Sequence, residues 1–274
     1  MAGLAAALLP AFAVPQDKPR LLFGHRGASM LAPENTVPAF QKCVELGCDV
    51  NELDVYRTAD NVIVVIHDAT VDRTTNGTGR VSSMTLAELK ALDAGYRFTP
   101  DGGQTYPYRG QGVTIPTIEE IVREVPTGRF NVDMKDHANE TAQLLAEEIQ
   151  RLGAEDRFIV GSFNDATVRA FRQFAPNVST LASVVEAARF TALFWQGRAD
   201  EHEPESDMYE LPVGTTLDPA GYAEAANALG QLMIYWTIND LDLMRGLLEN
   251  GADGIITDDV AGAMELYREM GYKP

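Results

Sequence analysis

Alternation of strand and helix runs along almost the whole chain and limits the fold more than any other feature. "RLLFGHRG" predicts a strand, "TVPAFQKCVELG" a helix closed by Gly47, and "DVNELDVY" the next strand. "NVIVVIHD" follows the turn at Ala59-Asp60-Asn61 closely enough to be an antiparallel hairpin partner. From Ile115 the order resumes as helix "IPTIEEIVREVP", strand "RFNVDMKD", helix "NETAQLLAEEIQRLG" and strand "FIVGSF". Then come helix "NDATVRAFRQFAP", strand "VSTLASV", a helix through "VEAARFTALFWQG", a weaker strand at "MYELPVG" and helix "DPAGYAEAANALG". Strand "QLMIYWTIN", helix "DLDLMRGLLENG", strand "ADGIITDD" and helix "VAGAMELYREMG" close the chain. With the hairpin strand set aside, eight strands are each followed by a helix. That count favours a parallel sheet closed into a (β/α)8 TIM barrel, with a doubly wound sheet as the alternative.

A length of 274 residues suits one such barrel, assigned to residues 20–274. The stretch from Ala69 to Thr114 is irregular, with one helical piece at "SMTLAELKALDAG". Irregular stretches of that length inside a domain are usually functional, so 69–114 is expected to be an insertion lying over the site. The acidic run "ADEHEPESD" is expected to be a solvated loop. Residues 1–19 form an apolar segment in which Ala11-Phe12-Ala13 suits a leader-peptidase site, but no basic stretch precedes it. As a leader remnant this segment implies export; as a short helix under the barrel it implies a cytoplasmic chain. It is too short to span a bilayer, and no other apolar run is long enough. The two cysteines, Cys43 and Cys48, read as buried apolar residues rather than metal ligands.

The formal net charge of -18 repels polyanions at long range, which makes nucleic acid an unsuitable partner. A local positive pocket can still hold one phosphate. Polar residues that break the strand patterns collect at one end: His25-Arg26 after the first strand, Glu52 and Asp54 on the second, His67-Asp68 after the hairpin strand, Asp133 and Lys135 on the next. Residues two apart on a strand share a face, so Glu52 with Asp54, and Asp133 with Lys135, can both point into the barrel mouth. In barrels, chemistry gathers at the C-terminal ends of the strands. Packed carboxylates need a neutralising charge, and an all-oxygen donor set calls for a hard divalent cation, Mg²⁺ or Ca²⁺. Carboxylates, a cation, two histidines and two basic side chains make a set suited to phosphoryl chemistry.

These residues resemble a known family. "HRG", "PENT", "ELDVYRTADNVIVVIHD", "DRTTNGTG", "VDMK" and "WTIN…GADGIITDD" are similar, in order and spacing, to the glycerophosphodiester phosphodiesterase family, from about Leu21 to Asp259. The resemblance implies a TIM-type barrel that hydrolyses glycerophosphodiesters to glycerol 3-phosphate and an alcohol with a divalent cation. It implies that His25 and His67 divide the acid and base roles and that Arg26 contacts phosphate. It further implies Glu52, Asp54 and Asp133 as metal ligands, Lys135 beside the phosphate, and Phe163 and Trp236 lining the pocket. Many members carry Glu-x-Lys where this chain has Asp133-x-Lys135, so a cation would sit differently. Related sphingomyelinase D and phospholipase D toxins carry an aspartate there, which makes lysophospholipid cleavage the alternative activity. A non-catalytic phosphodiester-binding barrel is the reading from a different class, and the full complement of acids and histidines disfavours it.

Overall fold

The computed structural model of the protein describes residues 20–274 apart from Thr216. The apolar segment 1–19, and with it the choice between a leader and a packed helix, lies outside the described residues. Eight parallel strands run in the order β6-β5-β4-β2-β1-β9-β8-β7, with β3 antiparallel on β2. They are β1 (Leu21–Gly24), β2 (Val50–Arg57), β3 (Ile63–Val65), β4 (Phe130–Met134) and β5 (Phe158–Gly161). After them come β6 (Ser179–Thr180), β7 (Met208–Pro212), β8 (Leu232–Trp236) and β9 (Gly254–Thr257). A parallel bridge between Leu181 and Met208 joins the two ends, reinforced by Ala182 N–H donating to the Met208 carbonyl at 2.8 Å and Asp207 N–H to that of Thr180 at 2.9 Å. The barrel is therefore closed, as the alternation implied.

The period-2 pattern of each strand sorts its side chains. Leu21, Phe23, Val50, Ile159, Met208, Leu232, Ile234 and Ile256 fill the barrel, whereas Leu53, Val55, Phe130, Val132, Phe158 and Val160 turn outward against helices. Fully buried Phe23 contributes roughly 1.5–3 kcal/mol by leaving water. Register then sets the polar layers: Glu52 lies opposite Asn131, and Asp54 opposite Asp133 at the mouth.

The outer layer is α1 (Val37–Leu46), α3 (Ile118–Glu124), α4 (Asn139–Leu152), α5 (Asp165–Phe174), α6 (Val184–Trp195), α7 (Pro219–Ala228), α8 (Leu241–Glu249) and α9 (Val260–Glu269). Asn164, Ser183, Asp218, Asp240 and Asp259 cap the starts of α5 to α9, fixing where each helix leaves the mouth. The short α2 (Leu86–Lys90) belongs to the insertion. Val71, Val81, Leu89, Ala94 and Val113 of the insertion pack with Val64 and Ile66 into a satellite core of their own. The acids of "ADEHEPESD" are mostly exposed, as expected of a loop, but His202 is buried. Its Nε2 meets the Tyr209 hydroxyl at 2.9 Å and its ring lies 5.4 Å from that of Phe190, which is why this part of the run leaves solvent. Cys43 is buried, Cys48 is half-buried, and both are free thiols.

Candidate active site

Strand β1 ends at Gly24, one residue before the histidine it delivers. His25 N–H still donates to the Thr257 carbonyl at 2.9 Å, so β9 carries the register one step further and aims the imidazole across the mouth. There His25 Nδ1 lies 2.7 Å from Asp258 Oδ1, while its Nε2 faces Glu52 at 3.9 Å. Asp258 also accepts from Ser29 Oγ at 3.0 Å and from Asn239 Nδ2 at 2.7 Å. Burial opposes the Asp258 charge, yet these hydrogen bonds, led by that of His25, draw its carboxyl down to about 2. Burial likewise works to lower the His25 pKa, but the Asp258 hydrogen bond and the Glu52 charge outweigh it and the net shift is upward.

The glycine-flanked corner has a steric cause. Arg26 sits in the left-handed region at φ 57°, with Gly27 beside it at φ 81°, so the chain reverses at once. A Cβ on Gly27 would stand 2.7 Å from the Ala39 backbone carbon, so α1 could not pack where it does. Three bonds hold this turn: Gly27 N–H to the Gly24 carbonyl at 3.1 Å, Arg26 N–H to Glu52 Oε2 at 2.8 Å and Asn35 N–H to the Arg26 carbonyl at 3.0 Å. Arg26 then extends to Glu34 at 3.0 Å and lies 3.6 Å from Asp54.

Glu52 and Asp54 stand on one face of β2, and burial together with the neighbouring Asp54 pushes the Glu52 carboxyl up to about 8. Asn35 clamps Asp54 by donating from Nδ2 at 2.8 Å and accepting from the Asp54 N–H at 3.2 Å. Lys135 Nζ lies between two carboxylates, 2.6 Å from Asp133 Oδ2 and 3.0 Å from Asp54 Oδ1. Burial works against the ammonium charge, but the two carboxylates raise the Lys135 pKa overall. Burial raises that of Asp133 despite the lysine, and its Oδ1 is buried without a hydrogen-bond partner. Among the described residues, no three acidic, histidine or cysteine side chains are gathered as an ion cage. The donor chemistry nevertheless suits a hard cation, since the buried carboxylates of Glu52 and Asp54 and the half-buried one of Asp133 share the mouth and one carboxylate oxygen is orphaned.

His67 follows the hairpin strand, two residues beyond β3, and its Nδ1 lies 2.7 Å from Asp68 Oδ1. Burial opposes the Asp68 charge, but Arg73 and His67 hold its carboxyl down at about 2. Arg73 bonds Asp68 at 2.6 Å and grips Glu34 with both terminal nitrogens at 2.6 and 2.8 Å. Through Glu34 the insertion is thus tied to Arg26. Phe163 and Trp236 meet edge to face at 5.9 Å, and Lys135 Nζ lies 5.6 Å from the Phe163 ring centre. Phe163 remains 56 % exposed, an apolar wall at the rim.

The nine residues singled out in the sequence therefore all fall on this rim. Sequence reasoning did not assign Asp258, Asn35, Glu34, Asp68 or Arg73, although each lies within or beside the motifs "DGIITDD", "PENT", "IHD" and "DRTTNGTG". Two histidines each held by a carboxylate, basic groups and carboxylates ringing one barrel mouth define a phosphodiester-cleaving (β/α)8 enzyme. The comparisons agree. A family model described as the glycerophosphoryl diester phosphodiesterase family matches residues 25–261. A glycerophosphodiester phosphodiesterase of Caldanaerobacter subterraneus is 34% identical over 259 residues, covering 92% of this chain and 99% of the relative. A putative glycerophosphodiester phosphodiesterase of Bacillus subtilis is 34% identical over 242 residues, covering 86% and 93%. The crystal structure of an Agrobacterium tumefaciens glycerophosphodiester phosphodiesterase superposes with a TM-score of 0.72 at 26% identity, covering 89% of this chain and 99% of that one. A Mycobacterium tuberculosis domain of that description shares the fold, with a TM-score of 0.79 at 22% identity over 91% and 99% of the two chains. The chain belongs to the glycerophosphoryl diester phosphodiesterase family and is a phosphoric diester hydrolase.

Proposed function

We propose that this enzyme hydrolyses glycerophosphodiesters to glycerol 3-phosphate and an alcohol, with His25 and His67 as its proton-transfer pair and a divalent cation held by Glu52, Asp54 and Asp133. The observation that carries the reading is that His25, after β1, and His67, after the hairpin strand β3, each have Nδ1 at 2.7 Å from their own carboxylate and stand beside the same group of acids. That arrangement leaves each Nε2 free to face a substrate. Arg26 and Lys135 would hold the non-bridging oxygens of the phosphodiester, and Phe163 with Trp236 would cover its apolar carbons. When bound, a divalent cation held by Glu52, Asp54 and Asp133 would supply positive charge for the phosphoryl oxygens and favour the charged form of those carboxylates.

Water attacks phosphorus in line, forming a P–O bond as the P–O bond to the alcohol breaks. One histidine takes the proton of the attacking water, and the other delivers a proton to the departing alkoxide. The named relatives support this hydrolysis rather than lysophospholipid cleavage. The test is release of glycerol 3-phosphate from glycerophosphocholine and glycerophosphoethanolamine, with and without chelator, beside lysophosphatidylcholine. Cation-dependent glycerol 3-phosphate is the expected result. Turnover of the lysolipid alone would overturn the substrate assignment.

A further inference from the structure

A cavity of about 120 Å³ opens between the loop after β1 and the insertion. Ser29, Glu34, Arg73, Thr74, Arg97 and Phe98 line it. Since a water needs only about 10–15 Å³ of such space, it admits a group of several heavy atoms. Its walls belong to both halves of the proton-transfer pair. Ser29 donates to the carboxylate that holds His25. Glu34, Thr74 and Ala94 also line the adjoining recess, which His67 shares. A group leaving phosphorus on the His67 side has this cavity next to it, through the recess that shares these walls.

The charges lining the cavity do not cancel. Arg73 is committed to two carboxylates, Glu34 and Asp68, and Glu34 is shared again with Arg26. Arg97 differs: its Nε donates to the Thr75 carbonyl at 3.1 Å, its guanidinium lies 5.9 Å from the Tyr96 ring, and no carboxylate pairs with it among the described residues. The surplus charge in the cavity is therefore positive and sits on a forked donor suited to a carboxylate or phosphate. Phe98, held edge-on by Tyr108 at 5.4 Å, offers one ring and not the several faces that enclose a quaternary ammonium. The overall charge of -18 does not forbid an anion here, because exposed charges are largely screened beyond about 8 Å at physiological ionic strength.

We propose that this cavity is a subsite for the alcohol half of the diester and selects alcohols that carry a second anionic group, with Arg97 as the specificity-determining residue. The proposal rests on the hydrolysis reading above. The test compares kcat/KM for four glycerophosphodiesters, whose alcohols are choline, inositol, serine and an inositol monophosphate. The wild-type enzyme is expected to prefer the serine and phosphoinositol diesters over choline by about tenfold, the scale of one partly exposed charge-assisted contact. Arg97→Ala is expected to erase that ratio through KM rather than kcat, Arg97→Lys to keep most of it, and Arg97→Glu to invert it. The two anionic arms separate a carboxylate preference from a phosphate one. If Arg97→Ala does not fold, Arg97→Gln reads the same ratio.

Wild-type preference for choline, or a ratio unmoved by Arg97→Ala, overturns the subsite while leaving the hydrolysis reading intact. Absence of glycerol 3-phosphate from all four diesters overturns the hydrolysis reading instead. In that event calorimetric binding of the serine diester decides the subsite: binding lost in Arg97→Ala supports it, and no binding to the wild type overturns it.

Discussion

His25 Nδ1 and Asp258 Oδ1 lie 2.7 Å apart although 233 residues separate them in sequence. Closure of the barrel produces this contact, because β9 pairs with β1 and places its first residue past the strand beside that of β1. Asp258→Asn keeps the shape and the Ser29 and Asn239 neighbours but removes the charge. Burial then dominates, so the His25 titration midpoint moves down from its raised value. Whichever limb of the kcat/KM profile reports His25 moves to lower pH, and kcat falls by about 10²-fold, within the range for general acid–base catalysis. A pH–rate profile with NMR titration of the His25 ring checks this. An unshifted limb would remove Asp258 from the proton-transfer machinery.

The same pair sets a stability window. His25, with its pKa raised above 6.5, stabilises the fold fully below that value and loses its contribution as pH rises through the folded one. Asp258, depressed from 3.8 to about 2, contributes fully above 3.8 and loses its contribution as pH falls through about 2. The Tm gap between the wild type and Asp258→Asn should therefore be widest from about pH 4 to 6.5 and narrow on either side. At its widest it should correspond to about 1.5–3 kcal/mol, the usual scale for hydrogen bonds to charged groups. Thermal unfolding across pH 2–9 tests the shape, and a flat gap would contradict it.

Why Asp258 went unassigned is a question of distance. Hydrophobic period showed the strands, and strand-end polar residues showed the rim, because both are local patterns. Which acid meets which histidine depends on closure, and nothing in "DGIITDD" states it. The weak strand β7 has a similar cause. Glu210 points inward and breaks the apolar alternation, yet this strand pairs with β8 over its whole length. His202 was misread as solvated because its acidic neighbours dominate the run. Tyr209 and Phe190, which cover it, lie just outside the run on β7 and α6, so the run's own composition does not show them.

Glu210 offers a separate pH test. It accepts from Asn131 Nδ2 across the barrel interior, and burial pushes its carboxyl up to about 8 against that hydrogen bond. A raised carboxyl holds a proton in the folded state that the unfolded chain releases, so stability falls as pH rises from 4.5 to about 8. Glu210→Gln removes that slope. Its Tm should overtake that of the wild type progressively across the window, and parallel curves would show that Glu210 ionises freely.

Asp133 is one of the three carboxylates proposed to hold the cation. Its orphaned Oδ1 and the lysine beside it predict opposite responses to two changes. Asp133→Glu adds a methylene and keeps the carboxylate, so activity should stay within about fivefold at saturating cation. Asp133→Asn leaves the volume but lowers the charge, so half-maximal activity should need at least about tenfold more cation. Back-titration of the chelated enzyme with Mg²⁺ and Ca²⁺ measures both. Equal cation requirements in the wild type and Asp133→Asn would place the cation elsewhere.

Gly24 completes the corner that delivers His25 and Arg26. A Cβ there would lie 2.3 Å from Cys43 Sγ and 2.8 Å from the Gly27 carbonyl oxygen, so α1 and the turn both crowd it. The sulfur belongs to a side chain that can be shortened, whereas the carbonyl belongs to the reversal itself. Gly24→Ala should therefore cost about 1–3 kcal/mol, as overpacking does, and depress kcat by displacing His25. Cys43→Ala in the same chain should relieve the sulfur clash and recover part of the stability, a positive coupling in a double-mutant cycle. The lost activity should return only partly, because the contact with the Gly27 carbonyl persists. Full recovery of both would show that the helix, not the turn, sets the position of His25.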